Sequence, residues 1–139
     1  MIFIEFDGND GFHIYEGEDG DEYVSGLSVS PKDIVVHKRH MNSFKDSRLA
    51  EVVAGCGCDS ILIVGMVAQL CVMATYFGAF DCGITPFMMK GGIIGTDEEK
   101  ELHCEAVVKL FDREDVSDNL ANVSLPVPPE IKRRADSGY

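Results

Sequence analysis

Short apolar segments alternate along this chain with segments whose apolar residues recur at helical spacing. The apolar segments predict strands at Ile2–Phe6, Ile34–His37, Ser60–Val64 and Gly83–Met89. The helical spacing predicts helices at Asp46–Ala54, Gln69–Phe80 and Thr96–Phe111. This alternation of strands and helices is typical of an α/β domain with a mostly parallel sheet.

Two of the predicted helices carry more specific information. Gln69–Phe80 is apolar on nearly all sides, so we expect it to be buried between the sheet and a neighbour such as another subunit. Thr96 and Glu99 form a capping box for the following helix. The inner side of that helix is predicted to carry Leu102, Ala106, Val107 and Leu110.

The remaining segments are less regular. Asp7–Asp21 is rich in glycine and acidic residues and is interpreted as a solvated loop, since its oxygen spacing does not match a calcium-binding EF-hand. Tyr23–Val29 is predicted to be extended, and Ala121–Val127 to be an edge strand. We expect one domain over residues 1–125 and a polar tail over 126–139.

Charge and hydropathy limit the partners. The 139 residues carry a formal net charge of −12, which argues against nucleic acid and anionic membranes as partners. No segment is long and apolar enough to cross a membrane, and the first residues do not resemble a signal peptide. We therefore expect a cytoplasmic protein whose partner is neither nucleic acid nor a membrane.

Five cysteines is an odd number, and their scatter through apolar segments favours free thiols in a reducing compartment. Cys56 and Cys58 form a Cys-x-Cys pair. A zinc or thiol redox site there is one interpretation, and small residues in a turn before a strand is the other, because no second ligand pair stands at a matching spacing.

Cys71 is the most informative cysteine. The apolar strand at Ser60–Val64 continues through Gly65 into a turn, and a helix begins near Cys71. A thiol at a helix N-terminus is favoured as a thiolate and can act as a nucleophile. The alternative is that Cys71 is simply a buried small residue.

Two segments resemble the isochorismatase-like cysteine hydrolases. Gly65-Met-Val-Ala-Gln-Leu-Cys71-Val-Met-Ala-Thr75 is similar to the nucleophile turn of that family, and Asp33-Ile-Val-Val-His-Lys38-Arg-His-Met-Asn42-Ser-Phe44 is similar to its lysine-bearing strand. Their order and separation also fit, and the resemblance extends from about Met1 to Phe111. It implies a three-layer α/β/α fold with the active site at the carboxyl ends of the strands.

The resemblance also implies roles for individual residues. Cys71 would attack a carbonyl carbon, with Lys38 holding the thiolate. The N–H groups of Val67 and Cys71 would form an oxyanion hole beside a cis Met66–Val67 peptide bond. Candidate substrate contacts are Arg39, Asn42, Phe44, Met66 and Gln69. His37 and His40 flank Lys38 and are interpreted as hydrogen-bonded scaffolding, with a role as a base left open.

The family's catalytic aspartate lies on its first strand, and that strand has no clear counterpart here. Ile2–Phe6 is most similar to the family's second strand, whereas a rival alignment places Asp7 in the aspartate motif. Loss of a central strand would open two interior edges of the sheet. One hypothesis is therefore that Ile2–Phe6 occupies the vacant place beside Ile61–Val64 and brings Asp7 toward Cys71.

These residues favour a metal-free cysteine amidohydrolase that acts on a small amide or ureido compound through a thioester. The metal-binding Asp-x-His of the family's nicotinamidases has no counterpart, so neither metal nor cofactor is expected. The alternative is an impaired relative or fragment that binds a ligand or a partner without turnover. A homo-oligomer is expected in either case.

Overall fold

A computed structural model describes residues 1–7 and 27–122, with side chains described up to residue 117. The predicted acidic loop beyond Asp7, most of the Tyr23–Val29 segment and the 126–139 tail lie outside the described residues. The strands are β1 (Ile2–Phe6), β2 (Ile34–Lys38), β3 (Ser60–Met66), β4 (Thr85–Ile94) and β5 (Leu110–Phe111). The helices are α1 (Leu49–Gly55), α2 (Met73–Asp81), α3 (Glu98–Glu105) and α4 (Arg113–Asn122), and a π-helical turn spans Ala68–Val72.

The strands form two parallel sheets. β1 and β2 make a two-stranded sheet, in register from Ile2 with Ile34 to Phe6 with Lys38. β3, β4 and β5 make a three-stranded sheet in that order. Parallel strands with connecting helices confirm the predicted α/β class.

The hypothesis that β1 takes a central place beside β3 is wrong. Among the described strands, β1 pairs with β2 and β3 pairs with β4, so each keeps one edge without a strand neighbour. The register with β2 explains this choice, because it places Ile2 beside Ile34 and Ile4 beside Val36. Val36 is fully buried in the core on that side, with Ile2 and Ile34 packed against it, and this burial favours the β1–β2 pair.

Helix α2 and the turn before it contact two hydrophobic clusters. One contains Val36, Phe44, Leu49, Val52, Val53, Ala79 and Ile84. The other contains Ala68, Val72, Tyr76, Met88, Ile93 and Cys104. Helix α2 is buried at Thr75, Tyr76, Gly78 and Ala79. Phe77 is 54% and Phe80 47% exposed on the single chain, so burial of that side against another subunit stays a prediction.

The helix that follows β4 differs most from its prediction. It ends at Glu105, and Leu110 and Phe111 form β5 instead of a last helical turn. Its N-cap is Asp97, whose side chain accepts a hydrogen bond from the Lys100 N–H, so Thr96 does not cap it.

The inner side of α3 also differs from the expectation. Leu102 and Val107 are exposed, whereas Cys104 is buried in the second cluster. Helical spacing places Cys104 on a different side from Leu102, and the side that carries Cys104 packs into the second cluster.

Several boundaries also move. α1 begins at Leu49, three residues after the predicted Asp46, and β4 continues past Met89 to Ile94 across an irregular register. Ala121 and Asn122 belong to α4, so the predicted strand at Ala121–Val127 is wrong in its described part. Among the described residues, no helix has the length and apolarity needed to span a membrane.

Candidate active site

Cys71 lies in the turn that leads from β3 into α2. Gly65 has φ of +121°, a conformation that residues with a Cβ rarely adopt. The chain then passes through the Met66–Val67 bond, which is cis, and the Val67 carbonyl accepts hydrogen bonds from the N–H groups of Leu70 (3.0 Å) and Val72 (3.3 Å). The bond from Val72 spans five residues, which makes the turn π-helical. Cys71 is half-buried within it.

Lys38 is the last residue of β2, and its side chain is buried. Its Nζ donates a hydrogen bond to the Met41 carbonyl at 3.0 Å. The same ammonium lies 5.8 Å from the centre of the Phe6 ring, on the neighbouring strand, a distance at which a cation is attracted to an aromatic face. Backbone and ring together hold the charge at the carboxyl ends of β1 and β2.

Asp7 is held on the other side of the same strand end. Its N–H donates to the Lys38 carbonyl at 2.8 Å. Its Oδ1 lies 3.4 Å from His37 Nδ1, and Glu5 Oε2 lies 3.3 Å from the same nitrogen. Side chains alternate along a strand, so Asp7 shares a side with Glu5 and His37, whereas Lys38 shares a side with Phe6.

A cavity of about 320 Å³ opens at this strand end. It is lined by Asp7, His37, Lys38, Arg39, His40 and Asp46. His40 Nε2 lies 3.0 Å from Asp46 Oδ2, so both histidines next to Lys38 face carboxylates. The cavity is half open to solvent, and its volume is at the lower end of the range for small-molecule sites. Cys71 is not among the lining residues.

The loop after Lys38 docks against α2 through polar contacts that the sequence analysis did not identify. Ser43 and Thr75 are joined by two hydrogen bonds, from Ser43 N to Thr75 Oγ1 at 3.0 Å and between the two hydroxyl oxygens at 2.8 Å. Asn42 packs on Gly78, where an added Cβ would lie 2.2 Å from Asn42 Nδ2. Thr75 belongs to the segment that resembles the nucleophile turn. Its place in that motif is the sequence feature that could have identified this contact.

The predicted substrate contacts have different surroundings. Asn42 Oδ1 accepts a hydrogen bond from the Phe44 N–H at 2.9 Å, and the Phe44 side chain lies in the first hydrophobic cluster. Met66 is 65% exposed at the end of β3. These contacts give Asn42 and Phe44 a structural part in the loop, and contact with a substrate stays a prediction for all of them.

Gln69 lies between the turn and the loop that follows β4. Its Nε2 donates to Thr96 Oγ1 at 2.8 Å. Its Oε1 is buried and has no hydrogen-bond partner among the described residues. Burial of a carbonyl oxygen without a hydrogen-bond donor costs free energy. Gln69 is therefore a polar residue of this region whose hydrogen bonding is incomplete within the described part of the chain.

Other ionisable groups lie outside this region. Burial raises the pKa of the Cys104 thiol. All five cysteines are free thiols. Within residues 1–7 and 27–122, no three His, Cys, Asp or Glu side chains are grouped as metal ligands.

The protein is an α/β domain with parallel strands and a candidate thiol site. One strand ends in a buried lysine, and the turn after another strand carries a half-buried thiol. A sequence profile of the isochorismatase domain matches residues 3–113. The chain therefore belongs to the isochorismatase family, as its motifs predicted.

Solved structures support the same fold. An isochorismatase-like hydrolase from Alkaliphilus metalliredigens superposes with a TM-score of 0.76 at 18% identity, over 86% of this chain and 72% of that one. A nicotinamidase from Bacillus subtilis gives 0.67 at 14% identity, over 78% and 72%. An N-carbamoylsarcosine amidase from Thermoplasma acidophilum gives 0.63 at 19%, over 80% and 68%. No curated protein sequence matches the chain.

Proposed function

We propose that this protein is a metal-free cysteine hydrolase that cleaves a small amide or ureido compound through a thioester. The observation that carries the proposal is the placement of two groups: a buried ammonium, Lys38, at the end of β2, and a half-buried thiol, Cys71, in the turn after β3. Carboxyl ends of parallel strands are where such sheets bind ligands. Related folds include a nicotinamidase and an N-carbamoylsarcosine amidase.

The proposed reaction has two steps. The Cys71 thiolate attacks the carbonyl carbon, the C–N bond breaks, and the amine leaves after it takes up a proton. Water then hydrolyses the thioester, which regenerates the thiol and releases an acid. Lys38 would stabilise the thiolate, and the N–H groups of Val67 and Cys71 would stabilise the oxyanion. Asp7 is the candidate proton carrier at the cavity, where its carboxylate lies beside His37.

Substrate contacts are proposed at the ends of β2 and β3. Met66 is 65% exposed, and the buried Gln69 Oε1 has no donor among the residues that the structure describes. Arg39 lines the cavity and would attract a carboxylate or another anionic group. We propose a location in the reducing cytoplasm, which free thiols at all five cysteines would suit.

Homo-oligomerisation is part of the proposal. Phe77 and Phe80 project from α2 and remain about half exposed, and large exposed apolar side chains favour association. Both rings make edge contacts with Tyr76, at centroid distances of 5.4 and 5.6 Å. A dimer or larger assembly in light scattering that dissociates on Phe77→Ser would support this surface.

The function is tested by measuring amine release from a panel of primary carboxamides and ureido compounds. Cys71→Ala is expected to lower turnover by about a thousandfold or more. Intact-mass analysis should detect the covalent acyl adduct on the protein that keeps Cys71 and not on the Cys71→Ala variant. Cys82→Ser is the matched control, because Cys82 is an exposed thiol at the far end of α2. Full activity in Cys71→Ala, or activity lost to a chelator, would refute the proposal.

One observation favours the second candidate, a family member that binds a ligand or assembles without turnover. β1 is paired with β2 in a sheet separate from β3, and the Asp7 carboxylate faces His37. A missing general base typically lowers a rate by about a hundred to ten thousandfold. This candidate predicts no amine release, together with Cys71 alkylation by iodoacetamide whose pH midpoint is that of free cysteine, about 8.5.

A further inference from the structure

Three buried polar side chains connect the end of β2, which carries Lys38, with helix α2, which follows Cys71. Lys38, Ser43 and Thr75 are the buried polar or charged residues among the side chains that the structure describes, at 6%, 3% and 6% exposure. Burial of a polar group is costly unless it is hydrogen-bonded. All three are hydrogen-bonded within this one contact.

The Met41 carbonyl is the meeting point. Lys38 Nζ donates to it at 3.0 Å, and Thr75 Oγ1 lies 3.4 Å from the same oxygen. The backbone thus connects the ammonium to a hydroxyl on α2. Thr75 follows Cys71 by four residues, which is about one helical turn.

Only one assignment of the protons makes every contact a hydrogen bond. Thr75 Oγ1 accepts from the Ser43 N–H and from the Ser43 hydroxyl, which uses both lone pairs of the oxygen. Its own proton is then directed at the Met41 carbonyl. If Thr75 donated to Ser43 instead, the carbonyl contact would lack a donor.

The Met41 carbonyl therefore has two donors, one from β2 and one from the helix that follows Cys71. The carbonyl can move away from α2 only by breaking its bond to Thr75, and the Lys38 ammonium would follow its acceptor. The contact between Asn42 and Gly78 holds the same loop at a second point. Loss of the Thr75 hydroxyl alone should therefore release the Met41 carbonyl while the loop stays docked at Asn42.

We propose that Thr75, supported by Ser43, is a positioning residue that sets the place of the Lys38 ammonium relative to Cys71. The inference rests on the proposed function, because it assigns the contact a part in the reactivity of that thiol. It distinguishes Thr75 from a residue that only fills the core, since a filler needs the methyl group and not the hydroxyl.

The test compares Thr75→Val, which keeps the shape and removes the hydroxyl, with Thr75→Ser, which restores it. Thr75→Val is expected to lower kcat by about ten to a hundredfold with KM changed by less than about twofold, because a displaced group of this kind affects the reacting state more than binding. Thr75→Ser should retain kcat within about threefold. Thr85→Val is the matched control, since Thr85 begins β4 at the amino end of the sheet.

A second readout does not need turnover. Iodoacetamide labelling of Cys71 against pH, followed by peptide mass analysis, should give a lower midpoint in the unmodified protein and in Thr75→Ser. In Thr75→Val the midpoint should move toward that of free cysteine, about 8.5. Ser43→Ala should move it in the same direction and serves as the second variant if Thr75→Val does not fold.

The outcomes separate this inference from the proposed function. Equal kcat and equal labelling midpoints in Thr75→Val and the unmodified protein would overturn the inference while the hydrolase stands. No amine release, together with a midpoint that depends on the hydroxyl, would overturn the hydrolase and support the positioning role. A free-cysteine midpoint in every variant would overturn both.

Discussion

The backbone N–H of Asp7 donates to the carbonyl of Lys38 at 2.8 Å, one residue beyond the last ladder pair of β1 and β2. This bond holds a carboxylate and an ammonium at one strand end while strand alternation directs them to opposite sides. The carboxylate meets His37, and the ammonium meets Met41 and Phe6.

Asp7→Asn tests whether the carboxylate next to His37 carries a proton during turnover. If Asp7 is the base, the variant should lower the rate by about a hundred to ten thousandfold, because the amide cannot accept the proton. Glu5→Gln is the control, since Glu5 faces the same His37 nitrogen but lies in β1, two residues before Asp7. Steady-state amine release measures both, and equal losses would mean that the histidine environment and not Asp7 is responsible.

Gly78→Ala tests the docking of the loop after Lys38. Its Cβ would lie 2.2 Å from Asn42 Nδ2, so Asn42 must move, and overpacking of this kind costs about 1 to 3 kcal/mol. The double variant Asn42→Ala/Gly78→Ala should be more stable than the sum of the single changes predicts, because the clash is removed.

Gly55→Ala is the matched control for that series. Gly55 is the last residue of α1, and no described atom beyond its chain neighbours and its own helix backbone lies within 4 Å of an added Cβ. It should therefore leave the free energy of unfolding unchanged or raise it by up to about 1 kcal/mol. Urea denaturation measures Gly78→Ala, Asn42→Ala, the double variant and Gly55→Ala. Equal effects of the alanine substitutions at Gly78 and Gly55 would contradict the close contact with Asn42.

The N-cap of α3 predicts a dependence of stability on pH. The hydrogen bond from the Lys100 side chain, followed by that from the Lys100 N–H, lowers the pKa of Asp97 below its usual 3.8. A folded pKa below the unfolded value gives stability that is present above about pH 4 and is lost as the pH falls through the lowered pKa.

Asp97→Ala should therefore lower the Tm by about 2 to 4 °C at pH 6, and its deficit should shrink toward pH 3. Asp97→Asn keeps a capping oxygen but does not titrate, so it should retain most of the Tm at pH 6 and show less change with pH. Calorimetry across this range measures the difference. A constant deficit at all pH values would show that the cap acts without its charge.

The order of the main elements could be predicted from the sequence because their signals are local. The predicted strands Ile2–Phe6, Ile34–His37 and Ser60–Val64 are mostly apolar and of strand length, and the structure extends the last two to Lys38 and Met66. The Gly65 turn before Cys71 is visible in the residues themselves. The helix from Thr96 was less predictable, since Asp97 and Thr96 are both able to cap and only packing selects between them.

The sequence predicted the main residues of the candidate site, but it did not predict the contacts that those residues make. Cys71 and Lys38 were found through motifs, but the partners of Lys38 were not, because Met41 acts through its backbone and not through its side chain. The surroundings of Phe44 could not be predicted either, since the sequence does not distinguish an aromatic residue in the core from one that contacts a substrate.

The sequence by itself determined the order of the main strands and helices from β1 to α3, the family, and the position of the thiol in the turn after β3. Only the tertiary structure decided that β1 pairs with β2 and not with β3, that Asp7 faces His37, and that Ser43 meets Thr75. The physical reason is distance along the chain: local periodicity specifies which side of a strand is apolar. Which strand or hydroxyl lies opposite depends on hydrogen bonds and burial between residues about thirty positions apart.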